Sequence, residues 1–218
     1  MRPRYDGHAD WYEERGVQFT AARTPLLLDL LGNGPGRCLD LGCGVGVHLA
    51  ALTAHGWRAV GTDVSADQLR LARGRAGGAG LVRGDAGRLP FADRSFDAVL
   101  MAFVHTDLDD LASTLCETAR VLAPTGRLVH VGIHPCFIGP FARHRAGEPP
   151  LLLPGYRETA WTRDAPGFGE GLRRRVGSRH VPLGRLINVV LAAGLALERA
   201  EEPDGEDYPS VLALVARR

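Results

Sequence analysis

Nine residues hold the densest chemistry in this 218-residue chain: Cys38-Leu39-Asp40-Leu41-Gly42-Cys43-Gly44-Val45-Gly46. Glycines at alternate positions let a backbone turn sharply and let a ligand lie against the main chain. Asp40 stands immediately before them. An anion there repels a pyrophosphate but attracts an ammonium or sulfonium group. The spacing is G-x-G-x-G, not the G-x-G-x-x-G of a dinucleotide fingerprint. Two more acids follow: Asp63, 19 residues after Gly44, and Asp85 in Gly84-Asp85-Ala86. An acid in the place of Asp63 accepts hydrogen bonds from both ribose hydroxyls, and does so equally in an NAD site. The Asp85 carboxylate can accept an adenine amino group, with Ala86 as a backbone donor. Taken singly, each acid also suits a helix cap or a turn. Three acids, each directly after a successive strand, make that reading harder to sustain.

A second group of reactive residues is His105-Thr106-Asp107 and His134-Pro135-Cys136-Phe137. Each follows a predicted strand, where ligands of open α/β sheets bind. A histidine near neutral pKa suits removal of a proton from an acceptor atom, typically worth about 10²–10⁴-fold. His134 and His105 are the candidate bases, with Asp107 as an orienter. Asp107 equally suits the N-cap of the next helix, and His105 a packing role. His130 and His134 lie four strand residues apart, about 13 Å, too far to share one ion. No metal site is expected. Cys38, Cys43, Cys116 and Cys136 form no C-x-x-C pair, so a structural zinc or a thioredoxin-like motif is not expected either.

These residues need a frame. Residues 8–31 read as helical, interrupted near Gly16 and Pro25. Strands are predicted over 37–41, 57–63, 81–84, 96–103 and 127–133. Helices over 45–55, 66–74 and 108–122 separate them. Strands alternating with helices imply right-handed crossovers and a parallel sheet, a three-layer α/β architecture. A final helix over 183–193 and strands over 195–200 and 210–216 flank an acidic turn, Glu201–Asp207. Residues 135–180 are irregular and rich in Gly, Pro and Arg. A stretch that long is usually a lid or binding insertion. Its aromatics, Phe137, Phe141, Tyr156, Trp161 and Phe168, suit either an acceptor wall or packing onto the sheet. Arg173-Arg174-Arg175 suits either an anion grip or a solvated face. The expected division is one domain: a helical cap 1–36, a cofactor core 37–134, a lid 135–180 and a C-terminal part 181–218.

Composition narrows the function. The 26 basic residues are all Arg, and the chain has no lysine. That excludes a P-loop nucleotide site and Schiff-base or pyridoxal-lysine chemistry. The net charge of +1 gives no support for nucleic acid or a membrane surface as partner. No apolar run reaches the ~18 residues of a membrane span. The polar N-terminus does not look like a signal peptide. A cytoplasmic protein, monomer or homodimer, is expected.

The motifs together resemble the class I S-adenosylmethionine-dependent methyltransferases, closest to the ubiquinone-biosynthesis-like small-molecule branch. CLDLGCGVG (38–46) is similar to the first motif of that family, and AVGTDVS (59–65) to the second. GDAGRLPFADRSFDAVLM (84–101) resembles the stretch into strand four, and ETARVLAPTGRLVHV (117–131) the run into strand five. The resemblance implies a Rossmann-like sheet of seven strands in the order 3-2-1-4-5-7-6, with strand seven antiparallel. It implies S-adenosylmethionine as cofactor and S-adenosylhomocysteine as product. It sets Asp40, Gly42 and Gly44 near the methionine moiety, Asp63 on the ribose and Val64 on the adenine. Asp85 and Ala86 hold the adenine edge. Met101 and Ala102 lie under the sulfonium, and Tyr5 and Tyr12 in a helical segment that covers the cofactor. It also places a pocket-facing histidine at His180. The expected activity is methyl transfer to an oxygen or nitrogen of a small molecule. A non-methylating cyclase or binding module on the same fold is one alternative, and an NAD(P)-dependent oxidoreductase another.

Overall fold

The structure is a computed structural model that describes residues 2–145, 148–203 and 207–218. The chain opens with three short helices: α1 (Ala9–Arg15), α2 (Val17–Ala21) and α3 (Thr24–Leu31). The breaks fall at Gly16 and at the Arg23–Thr24 step, next to Pro25 at the start of α3. Then strands and helices alternate: β1 (Arg37–Leu41), α4 (Leu49–Ala54), β2 (Arg58–Asp63), α5 (Ala66–Ala72), β3 (Gly80–Arg83), β4 (Phe96–Ala102), α6 (Leu111–Val121) and β5 (Leu122–Ile133). After the insertion come α8 (Leu183–Ala192), β8 (Ala196–Glu201) and β9 (Val211–Arg217).

The main sheet has seven strands in the order β3-β2-β1-β4-β5-β9-β8. Pairing is parallel from β3 to β5, and β9 is antiparallel to both its neighbours. This is the Rossmann-like order that the resemblance implies. The central strands are buried on both faces, as crossover helices require. Side-chain alternation splits the core in two. Leu39, Leu41, Val99 and Met101 join α6 and α8 on one face. Cys38, Ala98 and Leu100 join α3 and α4 on the other.

Two boundaries differ from expectation. Helix α6 begins at Leu111 rather than 108, because Asp110 caps it by accepting from Ser113 N at 3.1 Å. Asp107 therefore is not the cap. Residues 135–180 are less irregular than expected. They contain a small hairpin, β6 (Ala142–Arg143) with β7 (Leu151–Leu152), and a one-turn helix, α7 (Leu172–Val176). The expected acidic turn, Glu201–Asp207, lies partly outside the described residues. Among the described residues no helix is long and apolar enough to cross a membrane.

Candidate active site

Strand β1 delivers Asp40 and Leu41 to the rim of the sheet, and the chain then turns on glycine. Gly42 and Gly44 adopt left-handed φ of 74° and 52°. A Cβ on Gly42 would lie 2.5 Å from Val104 Cγ2, so only glycine fits. The amides of Gly42 and Cys43 donate to Thr62 O, and Gly44 N donates to Asp63 Oδ2 at 2.9 Å. Asp63 Oδ1 accepts from Ser65 N at 2.9 Å. The acid at the end of β2 therefore braces the glycine loop as well as facing the cleft.

That cleft is lined by Asp40, Asp63, Val64, Ala102 and Asp107, with Tyr5 and Tyr12 from the N-terminal segment. Asp40 is buried and its Oδ2 has no partner among the described residues. Burial, reinforced by the nearby Asp63 charge, lifts the Asp40 carboxyl to about 7. Burial lifts Asp63 to about 6 against the pull of its backbone donors. Two more polar residues of the cleft have buried atoms without partners among the described residues: His48 Nε2 and Gln68 Oε1. Sequence reading missed both. His48 sits at the start of α4, where its Nδ1 meets Thr24 Oγ1 at 2.9 Å. Its apolar run of neighbours gave no cue.

The N-terminal segment closes over this cleft through polar contacts. Ser65 Oγ donates to Asp6 Oδ1 at 2.5 Å, Gly7 N donates to Asp67 Oδ2 at 2.7 Å, and Arg70 forks onto Asp10. Arg4 pairs with Asp109 and lies over the Trp161 ring, 3.6 Å from its centroid.

A second cavity, about 320 Å³, opens beside the cleft and shares Tyr5, Tyr12, Thr20 and Phe103 with it. Phe103 has a φ of 55°, a left-handed conformation costing on the order of 1–3 kcal/mol in a bulky residue. Strained residues of this kind concentrate at ligand sites. The outer walls come from the 135–180 insertion, including Ile138, Phe168, Arg173 and His180.

The expected site residues separate in the structure. Asp40, Gly42, Gly44, Asp63, Val64, Ala102, Asp107, Tyr5 and Tyr12 line the cleft. Met101 does not: strand alternation turns it into the core with Leu41 and Leu115. Asp85 and Ala86 do not line it either. Asp85 Oδ1 accepts from Gly87 N at 2.8 Å, and Ala86 is buried in the core.

The histidines diverge as well. His134 lines neither cavity. Its Nε2 contacts Glu202 Oε1 at 2.7 Å, and its Nδ1 accepts from Cys136 N at 3.1 Å. Both ring nitrogens are engaged, which corrects its expected place beside an acceptor. His105 is buried behind the wall, edge-on to His130 with centroids 4.9 Å apart. It fits there because Gly132 lacks a side chain; a Cβ would lie 2.5 Å from the ring. Of the three candidates, His180 alone lines the second cavity. No group of three or more His, Cys, Asp or Glu among the described residues can hold a metal ion.

The Arg173-Arg174-Arg175 run splits. Arg173 is inward and donates to Asp107 Oδ1 at 2.5 Å. Arg174 pairs outward with Asp164 at 3.2 Å, and Arg175 lies over the Trp11 ring.

Residues 39–130 match the family model of a methyltransferase domain. A demethylmenaquinone methyltransferase of Mycobacterium sp. (strain KMS) is 47% identical over 100 residues, which cover 45% of this chain and 43% of that protein. The match thus spans less than half the length of that relative. An S-adenosylmethionine-dependent methyltransferase structure from Mesorhizobium loti superposes with a TM-score of 0.75 at 25% identity, covering 90% of this chain and 98% of that one. The fold is also shared with the 1,6-didemethyltoxoflavin-N1-methyltransferase of Burkholderia thailandensis, solved with S-adenosylhomocysteine. Its TM-score is 0.64 at 17% identity, over 99% and 86% of the two chains. Residues 39–130 are thus similar to a methyltransferase domain, and the chain shares its fold almost end to end with an S-adenosylmethionine-dependent methyltransferase.

Proposed function

We propose that the protein transfers a methyl group from S-adenosylmethionine to an oxygen or nitrogen atom of a small molecule held in the second cavity. The observation that carries this reading is the pair of adjoining cavities, one acidic and glycine-walled, the other apolar, joined at Tyr5, Tyr12, Thr20 and Phe103.

The cleft fits the cofactor on its own chemistry. Asp40 Oδ2, His48 Nε2 and Gln68 Oε1 are buried polar atoms without protein partners, so a ligand with cationic and hydroxyl groups satisfies them. In this reading Asp40 and the Gly42–Gly44 turn hold the amino-acid end, Asp63 the ribose, and Val64 packs on the adenine. Asp85 and Ala86 are given no role, because Asp85 closes its own turn. When bound, S-adenosylmethionine supplies a methyl group already attached to a good leaving group.

The chain's own work is then positioning and drying. Orienting two reactants can supply roughly 7–11 kcal/mol of a barrier. The N-terminal segment covers the cleft, and the 135–180 segment acts as the acceptor lid. His180 is the proton acceptor that faces the acceptor cavity. His134, His105 and Asp107 act from outside the reacting atoms, Asp107 by holding Arg173. The Mycobacterium relative acts, by its name, on demethylmenaquinone; this chain's acceptor is left as a small molecule. A cytoplasmic location belongs to the same proposal.

Thermal-shift titration tests the cofactor half. S-adenosylhomocysteine should stabilise the protein, and NAD should not. Stabilisation by NAD alone would sink the reading in favour of an oxidoreductase.

A further inference from the structure

The three orphaned polar atoms of the cofactor cleft are not alike. Asp40 Oδ2 and Gln68 Oε1 are oxygens that accept hydrogen bonds, whereas His48 Nε2 is a ring nitrogen. A neutral imidazole carries its proton on one nitrogen or the other. His48 Nδ1 lies 2.9 Å from the hydroxyl of Thr24, the first residue of α3, which has no other partner among the described residues. The hydroxyl hydrogen therefore goes to Nδ1, and the ring proton is left on Nε2. His48 is only 3% exposed, so an N–H aimed into the cleft has no bulk water around it. A buried donor of this kind calls for a partner.

No carboxylate of the cleft supplies one. Asp63 is held by the amides of Gly44 and Ser65, and Asp107 by Tyr5 and Arg173. Burial lowers the His48 ring to about 4, which leaves it an uncharged donor near neutral pH. The other side-chain donors of the cleft are engaged. Arg4 pairs with Asp109 and lies over Trp161, Ser65 Oγ donates to Asp6, and Tyr12 OH meets Thr20 Oγ1 at 3.0 Å. Arg2 is exposed.

The amino-acid end of S-adenosylmethionine carries two charges on one carbon. Its ammonium suits Asp40 Oδ2. Its carboxylate is repelled by acidic oxygens and needs donors. We propose that His48 is a specificity-determining residue: its Nε2–H donates to the cofactor's carboxylate while Thr24 holds the ring, so the cleft selects an intact amino-acid end over an aminopropyl one. This rests on the methyl-transfer reading above. A hydrogen bond to an ionised acceptor is about twice as strong as one between neutral groups. An uncharged donor gains that strength without setting a fixed cation near the cofactor's own ammonium and sulfonium.

The test compares two ligands by calorimetry on the full chain. One is S-adenosylhomocysteine. The other is its decarboxylated analogue, which keeps the ammonium and lacks the carboxylate. Wild type should prefer S-adenosylhomocysteine by about tenfold or more, the effect of one hydrogen bond to a charged group. His48→Leu should weaken S-adenosylhomocysteine by about that factor and hold the analogue within a few-fold, so the preference disappears. Thr24→Val keeps the ring and removes the hydroxyl that fixes its proton. It should cut the preference severalfold, and it keeps the question open to measurement if His48→Leu does not fold. A merely structural histidine would weaken both ligands alike, and that result overturns the proposal. So does a wild-type preference below about threefold, or one that survives unchanged in the folded variants. Failure of wild type to bind S-adenosylhomocysteine at all would instead remove the methyl-transfer reading beneath it.

Discussion

Arg173 of the lid donates to Asp107 of the loop after β4 at 2.5 Å, across 66 residues of sequence, with side chains 22% and 12% exposed. Tyr5 OH donates to the other carboxylate oxygen of Asp107 at 3.3 Å. Asp107 lines the cofactor cleft, Arg173 the acceptor cavity, and Tyr5 both. The N-terminal cover, the sheet and the lid therefore meet at one carboxylate.

Breaking that junction from one side should be costly. Removing one partner of a mostly buried ion pair leaves an uncompensated charge, at about 3 kcal/mol. Arg173→Met should lower the melting temperature by roughly 6–12 °C for a chain of this size. Arg173→Met with Asp107→Leu should recover part of the loss, because both charges then leave together. A single variant as stable as wild type would show that the pair holds nothing.

Asp63 should matter to cofactor affinity. Hydrogen bonds to a charged group are worth roughly 1.5–3 kcal/mol, so Asp63→Ala should weaken S-adenosylhomocysteine binding tenfold or more by calorimetry. The amides of Gly44 and Ser65 also lose their acceptor, so stability should fall in parallel. Unchanged affinity would remove Asp63 from the site.

The raised carboxyl of Asp40 sets a pH dependence. Its ordinary value is 3.8 and its folded value about 7. Between these the folded chain binds the extra proton, so stability of the free protein falls as pH rises from about 4 to 7. A cationic ligand favours the charged carboxylate and should expel that proton. Calorimetry in buffers of different ionisation heat should show proton release at pH 6 and little at pH 8. Asp40→Asn should cut the release to the share given up by Asp63, whose carboxyl burial lifts to about 6. Binding with no proton release at pH 6 in wild type would contradict this assignment.

His134 should prove structural. Its contacts are Glu202 and the Cys136 amide, and it lines neither cavity. His134→Ala should cost about 1–3 kcal/mol of stability through the donor left unpaired. Its affinity for S-adenosylhomocysteine should stay near wild type in the same titration. A large loss of turnover in the folded variant at unchanged cofactor affinity would return His134 to the site as a base.

Much of the cofactor half was legible before the structure. Short apolar strands ended in Asp40 and Asp63, and glycine followed Asp40, so local pattern alone located the loop. Met101 was misplaced although alternation along β4 settles it: Met101 shares parity with Val99, and both face the α6 side of the core. The acceptor half was legible only in outline, as the segment 135–180 and a pocket-facing His180, both of which contribute to the second cavity. The 135–180 segment lacks periodicity, and its key contacts bridge long separations, Arg173 to Asp107 and Arg4 to Trp161. Which of three histidines faces a cavity depends on those contacts. The partner of His134, Glu202, gave no signal beyond an acidic turn.

The central claim is methyl transfer, and one assay meets it directly. Methyl-labelled S-adenosylmethionine is incubated with a small-molecule metabolite extract and either wild-type protein or Asp63→Ala. The account predicts a labelled small-molecule product from wild type that falls by tenfold or more in the variant. A wild-type protein that binds S-adenosylhomocysteine yet labels nothing in the extract would contradict it and favour a non-methylating role for the fold.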